Sequence, residues 1–534
     1  MTTKKSTFAT VGMMMIIALA GKVMGLVRDS MIAAHYGTDS IEGIAFTQAG
    51  MLPLLFLDIV FAAVFSASFI PVFSELLTKK GKKAAFDLAA RFIAVIGFLT
   101  LVITVLGILF AVPLYAIFFE GNYASSEIRT LGIQLLQLMF PLMVLSGLAF
   151  SLASVLQSLG EFNIPAFMSV ASNGVILLYF FFFIEYFGVY GLAVAFLIGW
   201  LVQILIQVPF LIKQGFRLNL NALAFWRSFR YEEMGKIGRL TLPVMVATWL
   251  APVNLLVNSR AALDLYGGEH GFMAIRFANT LYTIITGLFV LSLANVLLPK
   301  LSTLAAKGDL SAYVGFLQAS LRSLMFMLLP MALGMMAIAR PLVSLVFERG
   351  QFDETSVFIT SQALFFLSTG ILGFGLQIIL SRACYALQDG RAPLVTAIVA
   401  MVLNFILSFT LAPMWDIGGV ALASAISIST AAVGLLIMLR RKLKGYSILT
   451  WAMIMDFIKM GVMAVIIFFV ARYVLGVVET FFADVNFLTR VIMVAVPAAV
   501  GAVVYMVGTL ILQVHEAQFV VNLAWTRVHA LFKR

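Results

Sequence analysis

Long apolar runs separated by short polar loops fill almost the whole chain. Fourteen runs are long enough to cross about 30 Å of hydrocarbon. Their approximate spans are 8–34, 42–76, 86–112, 128–157, 164–186, 189–212, 238–265, 272–303, 312–338, 356–387, 393–413, 418–439, 453–476 and 488–513. The pattern predicts an all-α polytopic membrane protein with fourteen transmembrane helices.

The charge of the loops alternates along this pattern. Cations concentrate in the loops of one side: Lys79, Lys80, Lys82, Lys83, Lys213, Arg217, Arg227, Arg230, Lys236, Arg239, Arg440, Arg441, Lys442 and Lys444. The opposite loops are short and acidic or mixed, with Glu120, Glu127, Glu185, Glu269, Asp416, Glu479 and Asp484. Because cytoplasmic loops carry the excess of Lys and Arg, both termini are predicted to be cytoplasmic.

The first twelve predicted helices contain an internal repeat. Phe61–Pro71 matches Phe289–Pro299, and Pro113–Glu120 matches Pro341–Glu348, both at an offset of 228 residues (289 − 61 and 341 − 113). Because six helices return the chain to its starting side, two such repeats have the same orientation and are related by an axis along the membrane normal. The repeat predicts an N-terminal lobe over residues 1–215 and a C-terminal lobe over 216–445. A terminal helix pair with a cytoplasmic tail follows over 446–534.

Composition excludes several classes of function. Hydrophobic residues make up 62% of the chain and charged residues 11%, against about 25% charged in soluble domains. The net charge of +11 is explained by orientation in the membrane, so no nucleic-acid partner is predicted. The single Cys384 and four scattered histidines form no metal-ligand pattern, and no nucleotide-binding or hydrolase motif occurs. We therefore predict no enzyme activity, no cofactor and no metal site.

Charged residues lie inside the predicted helices, where each costs about 2.5 to 3.5 kcal/mol and usually faces a watery cavity or a partner. Lys22, Arg28 and Asp29 lie in the first helix, Asp58 in the second, and Arg260 and Arg276 in the seventh and eighth. Arg28 and Arg260 each precede an acid and a Tyr-Gly pair, so Arg260 is taken as the counterpart of Arg28. These residues predict a cationic cavity between the lobes. Arginine suits phosphate groups through its planar fork.

Pairing within the protein is the competing interpretation. Arg28 could pair with Asp29 or Asp58, and Arg260 with Asp264 one turn on. Asp58 could instead take up a coupling proton or cation. Amide side chains in the predicted helices, Asn173, Asn254, Asn258, Asn279, Asn404 and Gln377, fit hydrogen bonds between helices as well as ligand contacts.

Several motifs resemble the MurJ/MviN group of lipid II flippases, in the multidrug/oligosaccharidyl-lipid/polysaccharide exporter superfamily. The similarity is most specific in GLVRD from Gly25 to Asp29, in FIPVF from Phe69, in LPKLS from Leu298, and from Phe347 to Pro393. It implies alternating-access transport of the lipid-linked peptidoglycan precursor lipid II to the outer leaflet of the bacterial plasma membrane. It also implies that the last two helices hold the lipid tail. Lipid II, membrane lipids and cell-wall synthesis proteins are the implied partners.

The resemblance also implies roles for individual residues. Arg28 fits the family's helix-1 arginine, and Lys22 holds a slot where arginine is more usual. The chain departs from the family on helix 2, where Asp58 follows Leu52-Pro53 without the usual arginine. It also departs on helix 8, where Ala278-Asn279-Thr280-Leu281 stands in place of the Ala-Asp-Arg-Leu type motif and lacks its arginine. Arg276 or Arg260 is the candidate substitute. The alternatives are an exporter of another lipid-linked oligosaccharide or amphipathic compound, and a non-transporting scaffold of cell-wall synthesis.

Overall fold

The computed structural model describes residues 2–121, 125–216, 231–248, 250–265, 268–482, 486–519 and 521, and all regular elements in these ranges are helical. The first elements are α1 Thr2–Tyr36, α2 Ile41–Val64, a π-helical turn Phe65–Phe69, α3 Ile70–Leu109, α4 Ala111–Phe119, α5 Ser126–Met139, α6 Leu142–Ser158, α7 Asn163–Phe182, α8 Ile184–Lys213 and α9 Glu232–Thr248. The chain continues with α10 Leu250–Leu263, α11 Gly268–Ala306, α12 Leu310–Ala337, α13 Ala339–Phe347, α14 Glu354–Ser368, α15 Ile371–Ala386, α16 Arg391–Lys442, α17 Trp451–Phe481 and α18 Phe487–Ile511.

Capping residues begin many of these helices. Ser125, Asp309, Asp353, Thr450 and Asn486 each accept a hydrogen bond from a backbone N–H two or three residues further on. Such caps satisfy donors that the first helical turn leaves unpaired. The starts of these five helices are therefore set by local sequence.

Helix breaks repeat with the spacing of the sequence repeat. The bounds of α4 and α13 differ by 228 at both ends (339 − 111 and 347 − 119). The left-handed residues Gly160 and Gln388 have the same separation (388 − 160). Gly188 inside α8 and Asp416 inside α16 do as well (416 − 188), with φ of 52° and 47°. The internal repeat is therefore present in the backbone as well as in the sequence.

Some predicted helices are broken and others are joined. The predicted helix 128–157 is interrupted between α5 and α6 at Phe140-Pro141, and 356–387 is interrupted between α14 and α15 at Thr369-Gly370. In contrast, α16 covers the predicted spans 393–413 and 418–439. At 1.5 Å per residue its 52 residues would reach about 78 Å, more than twice the hydrocarbon thickness. Its bend at Trp415 and Asp416 falls between the two spans.

The prediction of an all-α membrane protein is confirmed. In the described ranges eight helices are long and apolar enough to cross a membrane, or nine if α14 and α15, bent by 44°, form one span. Around the α7–α8 junction Phe181, Phe182, Tyr186 and Phe187 are each more than 60% exposed. Exposed rings at helix ends are typical of the membrane interface. The total of fourteen spans stays a prediction.

Contacts divide the chain into two compact units. The first comprises Met1–Leu256 with Tyr266–Met273, and the second comprises Val257–Leu265 with Ala274–Arg534. Within the first unit α7 packs on α1 and α8, and α9 packs on α2 and α3. Within the second, α16 packs on α14 and α15, while α17 packs on α12 and α18. The contacts thus group α9 with the first unit, although the sequence repeat assigns it to the second lobe.

Candidate functional site

Arg28 is held by side chains of α1 and α7 in the first unit. Its Nε and Nη2 donate to Asp29 Oδ1 at 3.0 and 2.8 Å, and its Nη1 donates to Asn173 Oδ1 at 3.0 Å. The Arg28 side chain is 24% exposed, and that of Asp29 is 11% exposed. The ion pair considered in the sequence analysis is therefore present, with Asp29 as the partner.

Asn173 fixes the position of the arginine by joining the two helices. Its Nδ2 donates to the backbone oxygen of Gly21 and to Ser169 Oγ, both at 3.3 Å. The helices approach closely there, since a Cβ on Gly21 would lie 3.1 Å from the Ser169 side chain. The face of the buried Phe196 ring lies 5.6 Å from the Arg28 guanidinium carbon. We call Arg28, Asp29, Asn173 and Phe196 the Arg28 cluster.

The Arg28 cluster leaves part of the guanidinium available. Arginine has five N–H donors in a planar fork, and the described contacts engage three of them. Two donors and the exposed quarter of the side chain remain for a ligand. Three fixed hydrogen bonds also reduce the rotamer entropy that a flexible arginine would lose on binding. The arrangement suits an anion with several acceptor oxygens.

The other predicted site residues of the first unit do not join the cluster. Lys22 lies on α1 with an exposed side chain, and no contact in the described ranges connects it to Arg28. Six residues separate the two, which turns them about 240° apart around a helix. Asp58 falls on α2, but its side chain lies outside the described part of the structure.

The predicted residues of the second unit lie on two helices. On α10, Arg260 Nη1 bonds Asp264 Oδ1 one turn on, and the two side chains are 30% and 21% exposed. On α11, Arg276 and Asn279 are half-buried, and the backbone oxygen of Arg276 accepts from Thr280 Oγ1 at 3.2 Å. The intramolecular partner suggested for Arg260 is therefore present.

A second polar cluster joins α10 and α16 in the second unit. Asn404 Nδ2 donates to Asn258 Oδ1 at 2.8 Å, and Asn258 Nδ2 donates to Ser424 Oγ at 2.7 Å. Like the Arg28 cluster it joins two helices through asparagine side chains, but its hydrogen-bonding side chains are neutral. That Arg260 is the counterpart of Arg28 stays a prediction.

The sequence analysis gave hydrogen bonds between helices as one role of the amide side chains. The structure confirms that role for Asn173, Asn258 and Asn404. The sequence analysis missed that Asn173 also binds Arg28. The available signal was an amide side chain in an apolar helix. Such a side chain is expected to form a hydrogen bond to another helix, but the sequence does not identify its partner. Within the described ranges, no three His, Cys, Asp or Glu side chains are placed to hold a metal ion.

Comparisons with known proteins agree with this architecture. A family model described as "Lipid II flippase MurJ" matches residues 32–495. The "Probable lipid II flippase MurJ" of Vibrio cholerae serotype O1 is 29% identical over 425 residues, covering 77% of this chain and 78% of that protein. The match of the family model begins after Arg28 and Asp29, so it does not bear on those two residues.

Two solved structures share the fold. The structure titled "Lipid II flippase MurJ, inward closed conformation" superposes with a TM-score of 0.75 at 21% identity, covering 93% of this chain and 98% of that one. An inward-facing multidrug resistance MATE family transporter of the MOP superfamily gives 0.69 at 17% identity, covering 81% and 99%. These similarities show a transporter fold common to the two families.

Proposed function

The chain belongs to the lipid II flippase MurJ family, and from that premise we propose that it moves lipid II from the cytoplasmic to the outer leaflet of the plasma membrane by alternating access. The match of the family model over residues 32–495 is the observation that carries the proposal. The protein is a multi-pass membrane transporter. We assign it both termini in the cytoplasm, two six-helix lobes over 1–215 and 216–445, and a terminal pair over 446–534.

The Arg28 cluster supplies the cation for the pyrophosphate of lipid II. A pyrophosphate that leaves the lipid headgroup region loses hydration, and a fixed positive charge offsets part of that loss. Arg28 presents two unengaged donors on a fork that Asp29 and Asn173 hold in place. Asp29 has two roles in this scheme. It stabilises the site when no substrate is bound. It also fixes the orientation of the Arg28 guanidinium when the anion binds to the two donors that Asp29 and Asn173 do not engage.

Lys22 and the second-unit cations contribute at other stages of transport. Lys22 adds an exposed positive charge two turns before Arg28. In the second unit Arg260 pairs with Asp264, and Arg276 lies on α11 with Asn279 one turn further along. The Arg260→Ala and Arg276→Ala variants should differ, with the residue that contacts the substrate giving the larger loss of transport.

The contact of α9 with α3 and with the π-helical turn before it acts as a closure at the cytoplasmic side. Lys80 Nζ pairs with Glu233 Oε1 at 3.0 Å, and Ser68 Oγ lies 2.9 Å from Thr241 Oγ1. Lys80 belongs to a loop that the positive-inside pattern places in the cytoplasm. The sequence repeat assigns α9 to the second lobe, because α9 contains the start of the seventh predicted helix. In an alternating-access transporter, substrate entry from the cytoplasm therefore requires this contact to open.

Three other functions are compared with this proposal. An exporter of another lipid-linked oligosaccharide would use the same cation, since its substrate also carries phosphate. An exporter of cationic drugs, for which the MATE similarity is the argument, would require an acidic site, and the cluster is built on arginine. A scaffold of the cell-wall machinery would not need Arg28 at all.

Complementation tests the proposal against the scaffold. A bacterial strain depleted of its lipid II flippase should grow when it expresses this chain, and it should not grow with Arg28→Ala at matched membrane abundance. Arg129→Ala is the control, because Arg129 is also paired with an acid, Glu120, but lies 43% exposed outside the cluster. Growth with Arg28→Ala would refute the role of the cluster.

A further inference from the structure

A cavity of about 660 Å³ lies in the second unit, away from the Arg28 cluster. It opens between α12 and the segment that follows α18, where residues 515–519 form a helical turn. Its volume falls within the range of about 300 to 1,000 Å³ that is usual for ligand sites. Topology prediction puts the start of α12 and the end of α18 at the cytoplasmic side, so the cavity lies in the cytoplasmic half of the membrane.

Two opposite charges line the cavity without pairing. Glu516 is 8% exposed, and its Oε2 has no hydrogen-bond partner among the described residues. The Nε of Arg322 is also buried and has no hydrogen-bond partner among the described residues. No ion pair joins the two residues within the described ranges, although both face the same space. Buried polar atoms without partners are costly, so a ligand that satisfies both atoms would be bound favourably.

The rest of the lining is apolar and partly open to the bilayer. Phe326 and Met506 form the inner wall, and Met327 and Phe519 are 45% and 62% exposed. An apolar wall that continues to an exposed apolar surface fits a ligand with a hydrocarbon chain. A soluble ion or a sugar phosphate would leave this surface in contact with water.

We propose that the cavity binds the headgroup of a membrane phospholipid that carries both a phosphate and a primary ammonium, such as phosphatidylethanolamine. The phosphate accepts from Arg322, and the ammonium donates to Glu516. An anion without the ammonium would face the carboxylate of Glu516, and a cation without the phosphate would leave Arg322 unsatisfied. The acyl chains leave past Met327 and Phe519 into the bilayer.

The headgroup chemistry makes the proposal selective. A primary ammonium donates three hydrogen bonds, whereas the quaternary ammonium of phosphatidylcholine donates none, and phosphatidylglycerol lacks a cation. Glu516 should therefore discriminate among lipids, and Arg322 should bind all three through the shared phosphate. The two residues thus have separable effects, and neither belongs to the Arg28 cluster.

Native mass spectrometry of the purified full-length protein, titrated with each of the three lipids, tests this assignment. The wild type should bind phosphatidylethanolamine about tenfold more tightly than phosphatidylcholine, which corresponds to about 1.4 kcal/mol. Glu516→Gln should abolish that preference. Arg322→Gln should weaken the binding of all three lipids. The matched controls are Arg340→Gln and Glu354→Gln, which alter an ion pair that is 58% and 82% exposed and should leave lipid binding unchanged.

Other results would overturn the assignment. Equal affinity of the wild type for the three lipids would contradict the role of the Glu516 carboxylate. So would an unchanged preference for phosphatidylethanolamine in Glu516→Gln. Binding of soluble glycerophosphoethanolamine as tight as that of the lipid shows that no membrane lipid is required. If Arg322→Gln does not fold, Met327→Trp keeps the test open, since the larger ring fills the mouth of the cavity and should exclude the lipid without removing a charge.

Discussion

Removing Arg28 should have two separable consequences, one for abundance and one for transport. Arg28→Ala leaves Asp29 with 11% exposure and without its cation. Loss of one partner of a buried pair costs about 3 to 5 kcal/mol, and the 24% exposure of Arg28 puts the expected value at the lower end, about 3 kcal/mol. Such a loss is a large share of the stability of most folds. Membrane abundance should therefore fall.

The double variant Arg28→Ala with Asp29→Asn separates the two effects. It removes both charges, so abundance should return to nearly the wild-type level. Transport should remain lost, because a unit charge about 4 Å from the anion contributes about 4 kcal/mol at an effective dielectric constant of about 20. That figure predicts a loss of at least about 100-fold. Arg28→Lys keeps the charge but loses the fork, and it should retain partial activity.

Quantitative membrane immunoblotting and complementation of a flippase-depleted strain measure the two effects. Normal growth with the double variant would refute the phosphate-binding role, because Arg28 would then serve only to neutralise Asp29. Arg129→Ala should leave both readouts unchanged.

Three further predictions concern the topology and two ion pairs. A cysteine at Lys79, in a chain without other cysteines, should resist an impermeant thiol reagent in intact cells; labelling would overturn the topology. The hydrogen bond from Lys80 lowers the pKa of the Glu233 carboxyl. This contact should therefore stabilise the fold fully above the ordinary glutamate pKa of about 4.3, and its contribution should be lost as the pH falls through the lower pKa of the folded state. Glu233→Gln should remove this pH dependence of the unfolding temperature. Arg490 Nη2 holds Glu348 Oε1 at 3.1 Å, so Arg490→Ala should loosen α18 and increase its proteolysis; unchanged proteolysis would contradict an anchoring role.

The sequence predicted the class of fold and its repeat because both depend on local pattern. Apolar runs identify membrane helices, and the offset of 228 reappears in the bounds of α4 and α13. The interruption of the predicted helix 128–157 at Phe140-Pro141 was not predicted. The apolar pattern continues unchanged through this point, and Pro141 interrupts the helix because it has no backbone N–H to donate.

The partners of Arg28 were only partly predictable. Asp29 is its sequence neighbour, so the ion pair was among the stated alternatives. Asn173 lies 145 residues away, and its contact depends on how α1 and α7 rotate against each other. Arg260 was aligned with Arg28 through the acid and the Tyr-Gly that follow each. In the structure each arginine bonds the acid that follows it, Arg28 with Asp29 and Arg260 with Asp264.

Accessibility of labelled lipid II at the outer leaflet measures the central claim most directly. In cells depleted of their own flippase, expression of this chain should restore cleavage of lipid II by an enzyme added outside. The Arg28→Ala, Asp29→Asn variant at matched abundance should leave lipid II protected on the cytoplasmic side. Protection that persists with the wild-type chain, or cleavage that the double variant restores equally well, would contradict transport of lipid II through the Arg28 cluster.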